Sequence, residues 1–306
     1  MIQETNAPVN PDARRLVLLK RMATLCALLI LAITSISAFI RLANVGLGCA
    51  DWPQCYGQNL RQAQQGSAAK ATESAATVGA RMVPLVIAVA ALLLIVVMAM
   101  ACFTAQPVLR RAGWMTLALL ALALFLAVLG RWSSGARVPA VASGNLLGGF
   151  AMLALCWRLR QEVSGQTGGA AASATATDTA EPSGLARMQA WAWLGVIVLL
   201  CQIALGGLVS AGYASLSCTG LPDCGVSFSS NITPASLDPW REPVFAATAK
   251  PPANPAGAAS HMAHRYGTIV SLLVLLPLGL AALRYGRRRA GWLILSLLVV
   301  QIYLGL

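Results

Sequence analysis

Histidine and cysteine carry most of the chemistry open to this chain of 306 residues, which has 2 histidines and 8 cysteines. Four of the cysteines form two matching pairs, Cys49/Cys55 in GLGCADWPQCYG and Cys218/Cys224 in SLSCTGLPDCG. Each pair has five intervening residues, each follows a long apolar run, and both members are offset by 169 residues. Pro53 in the first loop, and Gly220 with Pro222 in the second, can bend the chain enough to bring two Cβ atoms to bridging distance. Three chemistries fit such a pair. A structural disulfide would close each loop and limit its disorder. A reactive dithiol would pass electrons, although the spacing lacks the tight C-x-x-C of redox motifs. A zinc site would need a further histidine or cysteine close in sequence, and neither loop has one. The other four, Cys26, Cys102, Cys156 and Cys201, lie within or at the ends of apolar runs and read as small packing residues.

The two histidines are His261 and His264 in SHMAHRYG. A separation of three residues puts them on one helix face, at the mouth of an apolar run. Each could be a polar residue at a membrane boundary. Alternatively, a neutral imidazole there is suited to axial ligation of a haem iron. Polar groups at membrane depth are costly, which favours the functional reading. Arg265, beside His264, could pair with a haem propionate.

These residues must be positioned by a membrane protein. The chain is 58% hydrophobic and 10% charged, with a mean hydropathy of +0.70, more apolar surface than a soluble domain can bury. Seven runs can span a bilayer as helices: 20–40, 83–103, 113–130, 139–157, 190–211, 264–283 and 290–306. The first reads as an anchor, since no small-residue cleavage site follows it. The net charge of +12 reflects topology, because most basic residues flank apolar runs and no basic, aromatic-studded groove is visible. No nucleic-acid partner is expected.

Arg14, Arg15, Lys20 and Arg21 precede the first span, and Arg110 and Arg111 follow the second. Arg158, Arg160 and Arg187 follow the fourth, and Arg284 with Arg287, Arg288 and Arg289 follow the sixth. This excess places the N-terminus in the cytoplasm and both cysteine pairs outside, in an oxidising compartment in bacteria.

The expected architecture is all-α, a polytopic bundle of two pseudo-symmetric four-helix halves. The first half covers 1–160 with an external loop at 41–81. A Gly-, Ala-, Ser- and Thr-rich flexible linker covers 161–187. The second half covers 188–306 with an external loop at 212–260. A complete repeat predicts an eighth span beyond Leu306, where the sequence stops within an apolar run. Gly144, Gly148 and Gly149 allow close helix packing, within one chain or in a homo-oligomer.

Four segments carry a family resemblance. RLANVGLGCADWPQCYG resembles the first external loop of the heme A synthase family, CtaA type, in its proteobacterial form. LGGLVSAGYASLSCTGLPDC resembles the matching stretch of the second half, and HMAHRYG the His-Arg start of the helix after it. GRWSSGARVPAVASGNLLGGFAMLAL resembles the region of the third and fourth spans. The similarity extends over roughly 17–160 and 188–306, and the cysteine loops are its most specific part.

The resemblance implies an inner-membrane oxidoreductase that oxidises the C8 methyl of heme O to the formyl of heme A for cytochrome oxidase assembly. Heme O and heme A would be its partners in the lipid bilayer, alongside heme O synthase and oxidase assembly proteins. It implies a histidine on the second and fourth spans of each half, with the substrate haem in the first half and a heme b cofactor in the second. His264 matches the His-Arg position of the second half, making it an iron ligand, and the partner of His264 would lie beyond Leu306. The first cysteine pair would transfer electrons or hold its loop, giving Cys49 and Cys55 a catalytic role. The chain departs from this pattern in its first half. There the His-Arg position falls at Pro84-Leu85, the fourth-span histidine at Asn145, and a neighbouring acidic residue at Arg81. Residues 1–260 contain no histidine. Two alternatives therefore stand beside the synthase: a non-catalytic membrane protein that binds heme b or assists oxidase assembly, and a membrane thiol–disulfide oxidoreductase.

Overall fold

The computed structural model describes residues 11–45, 75–133, 138–167, 182–218, 237–243 and 257–305. Its seven helices are α1 (Pro11–Val45), α2 (Ala75–Phe103), α3 (Arg110–Ser133), α4 (Pro139–Thr167), α5 (Pro182–Ala211), α6 (Ala258–Arg284) and α7 (Arg288–Gly305). All seven are long and apolar enough to cross a membrane, so the chain is a multi-pass helical membrane protein. Large apolar side chains on the outer faces meet lipid rather than water, among them Leu28, Leu93, Phe125, Leu273 and Trp292. Two of the buried hydroxyls are satisfied within their own helices. Thr116 donates to the Gly113 carbonyl at 2.8 Å and Ser271 to that of Gly267 at 2.8 Å.

Several helices extend beyond the apolar runs. α4 continues to Thr167, where Gln166 Nε2 donates to Glu162 Oε1 at 3.4 Å and Ser164 Oγ back-bonds to the Arg160 carbonyl at 2.7 Å. α5 starts at Pro182, whose fixed φ and missing N–H suit a first helical turn. The Gly- and Ala-rich connection is therefore shorter than composition alone suggests.

The chain forms two compact units. The first comprises α1, α2, α3 and most of α4. Lipid tails are as apolar as leucine, so helix association depends on close packing. A Cβ on Gly148 would overlap the Leu126 side chain, and one on Gly149 would lie 2.5 Å from Thr34 Cγ2. The glycines singled out in the sequence thus pack α4 within the chain, against α3 and α1. One cluster fills this unit, with Leu19 and Ile30 of α1, Ile95 of α2, Leu119 of α3 and Leu159 with Val163 of α4 among its members. Arg15 closes one end by donating to the carbonyls of Ala101 (2.9 Å), Pro107 (3.0 Å) and Cys102 (3.2 Å).

The second unit comprises α5, α6 and α7 with the first turn of α4. A Cβ on Gly195 would lie 3.2 Å from Leu275 of α6, and one on Gly291 would lie 2.9 Å from the Gly279 carbonyl oxygen, so α6 packs tightly on both neighbours. α6 ends in a Schellman arrangement. Gly286 takes φ +76°, its N–H meets the Leu283 carbonyl at 3.3 Å, and the Arg287 N–H meets that of Ala282 at 2.9 Å. The reversal leaves only three residues, 285–287, between α6 and α7.

Candidate functional site

α6 begins where the chain returns to the bundle after the second cysteine loop, and both histidines lie in its first two turns. That start is held on three sides. Gly257 approaches the turn after α5 so closely that a Cβ would lie 2.5 Å from Ala214 Cβ and 2.8 Å from Ser217 Oγ. Ser260 Oγ donates to the Gly257 carbonyl at 2.9 Å. Cys218 packs in a small buried cluster with Ala258 and Met262, its Sγ 3.8 Å from the Ala258 carbonyl oxygen. Cys218 is disulfide-bonded. Its predicted partner Cys224, and the first pair Cys49 and Cys55, lie outside the described residues. A disulfide-bonded cysteine therefore abuts the helix end that carries the imidazoles.

His264 faces α5. A Cβ on Gly206 would lie 3.0 Å from His264 Cε1 and 3.6 Å from its Nε2, so glycine at this position makes room for the ring. One turn earlier on α5, Gln202 Nε2 donates to the His264 carbonyl oxygen at 3.0 Å and to Thr268 Oγ1 at 2.8 Å. Thr268 Oγ1 donates in turn to the His264 carbonyl at 3.0 Å. The Gln202 amide therefore locks the rotation of α6 against α5. Gly267 admits that amide, since a Cβ there would collide with Gln202 Oε1. Gly207, next to Gly206, faces Ser143 in the first turn of α4, whose Oγ would be 2.8 Å from a Cβ.

Four buried polar atoms at this end of the second unit have no hydrogen-bond partner among the described residues: Nδ1 of His261, Nδ1 of His264, Oε1 of Gln202 and Oγ of Ser143. Burying a polar atom without a partner costs on the order of 1–3 kcal/mol, so four together suggest a site made for a ligand. Two buried, unpaired imidazole nitrogens and a glycine cradle fit a metal-centred, planar cofactor. Among the described residues, no three His, Cys, Asp or Glu side chains gather as a metal cage.

Arg265 is half-buried beside His264, with its Nη1 3.9 Å from Met262 Sδ. In the first unit, Pro84 lies near the start of α2 and is half-buried, while Leu85 is exposed. Asn145 is half-buried on α4. The Arg81 side chain lies outside the described residues. A cavity of about 160 Å³ at the opposite end of α5 and α6 is lined by Arg187, Trp191, Pro277 and Tyr285 and touches neither histidine. Gln202, Gly206 and Ser143 belong to the site but do not emerge from sequence reasoning. Their one sequence signal is the small-residue stretch LGGLVS, which marks a close helix approach without identifying its partner.

Comparison with known proteins bears directly on this arrangement. A heme A synthase of Shewanella oneidensis is 28% identical over 288 residues, covering 90% of this chain and 83% of that protein. No solved structure matches. The model of the COX15-CtaA family, described as cytochrome oxidase assembly protein, matches residues 20–306. The chain belongs to the COX15-CtaA family of cytochrome oxidase assembly proteins.

Proposed function

We propose that this protein is a membrane oxidoreductase of the heme A synthase type, which converts the C8 methyl of heme O into the formyl of heme A for cytochrome oxidase assembly. One observation carries this reading beyond family membership. His264 presents a buried, unpartnered imidazole Nδ1, on a helix start braced by a disulfide-bonded cysteine. The name of the Shewanella relative points the same way.

Turning a methyl into a formyl removes hydrogen and adds oxygen, so electrons must leave the site. A b-type haem, when bound, supplies one-electron redox chemistry. In this reading His264 would hold the haem iron through its imidazole, Arg265 would neutralise a propionate, and His261 would serve on the same helix face as an auxiliary polar group. Gln202 fixes the orientation of α6, and Gly206 leaves room for the imidazole. Cys218 and Cys224 bridge to hold the mouth of the site. Cys49 and Cys55 form the matching pair in the first half, closing that loop or relaying electrons. The two compact units serve as the repeated halves, joined across the connection near 161–187. The protein sits in the bacterial inner membrane with a cytoplasmic N-terminus, as its arginine distribution favours.

A second reading has its own support. Pro84 and Asn145 stand where the first half should offer histidines, and neither is an ordinary haem ligand. A protein with one haem and no methyl oxidation, acting in oxidase assembly, would have this pattern. A thiol–disulfide oxidoreductase rests on the loop cysteines alone.

The deciding experiment purifies the full chain in detergent, extracts its haem, and follows heme O in membranes that contain the protein. Heme A appearing from heme O, together with a bound b-type haem, is the expected result. A bound b-type haem without conversion establishes the assembly reading. Absence of haem, with loop thiols that cycle, establishes the thiol–disulfide reading.

A further inference from the structure

The cavity of about 160 Å³ in the second unit lies between the first turns of α5 and the last turns of α6, at the end away from the histidines. Its lining is sorted by depth. Arg187 of α5 and Tyr285, just past the end of α6, stand nearest the helix ends. Trp191, Pro277 and Leu278 lie about one to two turns further along their helices, toward the apolar middle of the spans. The walls are preformed. Trp191 Nε1 donates to the Val274 carbonyl oxygen at 2.9 Å, which ties the indole of α5 to α6. A Cβ on Gly184 would lie 3.2 Å from Tyr285 Cε1 and 3.4 Å from its hydroxyl oxygen, so glycine lets the tyrosine ring lie against the start of α5. Trp191 and Tyr285 are also exposed, so the cavity borders the outer surface of the unit.

The charge at this end has one sign. Arg187 is joined by Arg284, Arg287, Arg288 and Arg289 around the turn between α6 and α7, and all five are exposed. α5, α6 and α7 contain no Asp or Glu, so these helices supply no carboxylate to pair with the arginines. Glu181, just before α5, lies outside the described residues. Membrane topology explains why arginines flank a span. It does not explain a preformed cavity beside them with an apolar floor. Basic pockets between membrane helices recognise anionic lipid headgroups. Tryptophan and tyrosine, the two aromatic residues lining this cavity, favour the headgroup level of a bilayer.

We propose that this cavity binds one anionic phospholipid, with its phosphate at Arg187 and the Tyr285 hydroxyl and the first carbons of an acyl chain against Trp191, Pro277 and Leu278. The volume takes the link between headgroup and chains rather than a whole lipid, so the chains continue along the outer surface of the unit. The neighbouring arginines of the α6–α7 turn raise the local concentration of anionic headgroups. The bound lipid joins α5 to α6 at the end opposite the Gln202 amide, and its binding does not depend on haem.

The test is native mass spectrometry of the full-length protein in detergent, titrated with phosphatidylglycerol and, separately, with phosphatidylethanolamine. The wild-type protein is expected to retain one phosphatidylglycerol per chain and to prefer it to phosphatidylethanolamine. Arg187→Gln should weaken phosphatidylglycerol about five-fold, the effect of one arginine near a headgroup. Ala281→Leu fills the cavity without changing charge and should lower retention by a similar factor. Arg187 is exposed, so its variant keeps the test decisive if Ala281→Leu misfolds. Arg158→Gln removes an exposed arginine from α4 and should bind as wild type. Four results would overturn the proposal. Equal retention of the two lipids would mean a merely annular lipid. Wild-type binding in Arg187→Gln, or in a folded Ala281→Leu, would remove the cavity as the site. The same loss in Arg158→Gln as in Arg187→Gln would reduce the effect to diffuse charge. Displacement of the lipid by glycerol 3-phosphate would make the site one for a soluble phosphate.

Discussion

The two units use the same kind of helix for opposite ends. In the first, the buried side chains among the described residues are almost entirely apolar or sulfur-bearing, Thr116 is satisfied within its own helix, and one buried polar atom, Arg160 Nε, lies unpartnered. In the second, four buried polar atoms lie unpartnered among the described residues, two of them imidazole nitrogens, and glycines face three of their side chains. Both are packed by glycines. In α4 of the first unit, however, those glycines receive leucine and threonine side chains, whereas Gly206 and Gly267 of the second receive a histidine ring and a glutamine amide. Small residues bring helices together in either case. What enters the space they leave decides whether the result is a core or a site.

The largest expected effect tests this contrast directly. His264→Ala should abolish the b-type haem signal in the difference spectrum, and Asn145→Leu should leave it intact. An unchanged spectrum in the first variant would remove His264 as a ligand. A lost signal in the second would mean that the first half takes part in holding haem despite its lack of histidine.

Next is the brace at the mouth of the second unit. Closing a loop with the spacing of Cys218 and Cys224 restricts the unfolded chain by about 2 kcal/mol. Cys218→Ser should therefore lower the thermal midpoint in detergent by several degrees and reduce haem occupancy, since Cys218 packs on the first turn of α6. Alkylation mapping without reductant should find the two residues bridged. Free thiols at both positions, or a midpoint equal to that of wild type, would dissociate the cysteine loop from the histidine helix.

A smaller change follows at Gly206. A Cβ there would sit 3.0 Å from His264 Cε1, so the ring must shift by a few tenths of an ångström. Gly206→Ala should keep the protein folded, move the haem absorption bands and lower occupancy by a few-fold. Bands and occupancy identical to wild type would place the ligand on the other side of the ring, away from α5.

These effects also show which parts of the design are legible in the sequence. The seven spans are, because about 20 apolar residues in a row have few alternatives in a bilayer. The place of His264 at the start of a span is as well, because an apolar run begins there in the sequence and a helix in the structure. The surroundings of His264 are not. Gln202 lies 62 residues away and Gly206 58, on another helix, and no periodicity in α5 reports which of its faces meets α6. That Cys26 and Cys156 share the buried core of the first unit is hidden for the same reason. Each cysteine reads as a packing residue by itself, and only the fold brings them together. Cys201, with the same sequence character, is exposed instead. The ends of α4 and α5 were obscured by composition, since Gly- and Ala-rich segments lack the apolar signal of a span even when local hydrogen bonds continue the helix.

The smallest effect comes from Gln202, where opposing contributions nearly cancel. Gln202→Leu removes two hydrogen bonds to α6, each contributing about 1 kcal/mol net. It also removes a buried Oε1 that has no partner among the described residues, a penalty of comparable size. Thr268 still donates to the His264 carbonyl, so that acceptor remains satisfied. In the haem-free protein the thermal midpoint should therefore stay within a few degrees of wild type. If Oε1 receives a hydrogen bond from a ligand, the haem-loaded variant should be less stable than its wild-type counterpart, and the difference should vanish when haem is removed. An equal shift in both forms would make Gln202 a packing residue. The contrast between the units would then rest on His264 and its glycine alone.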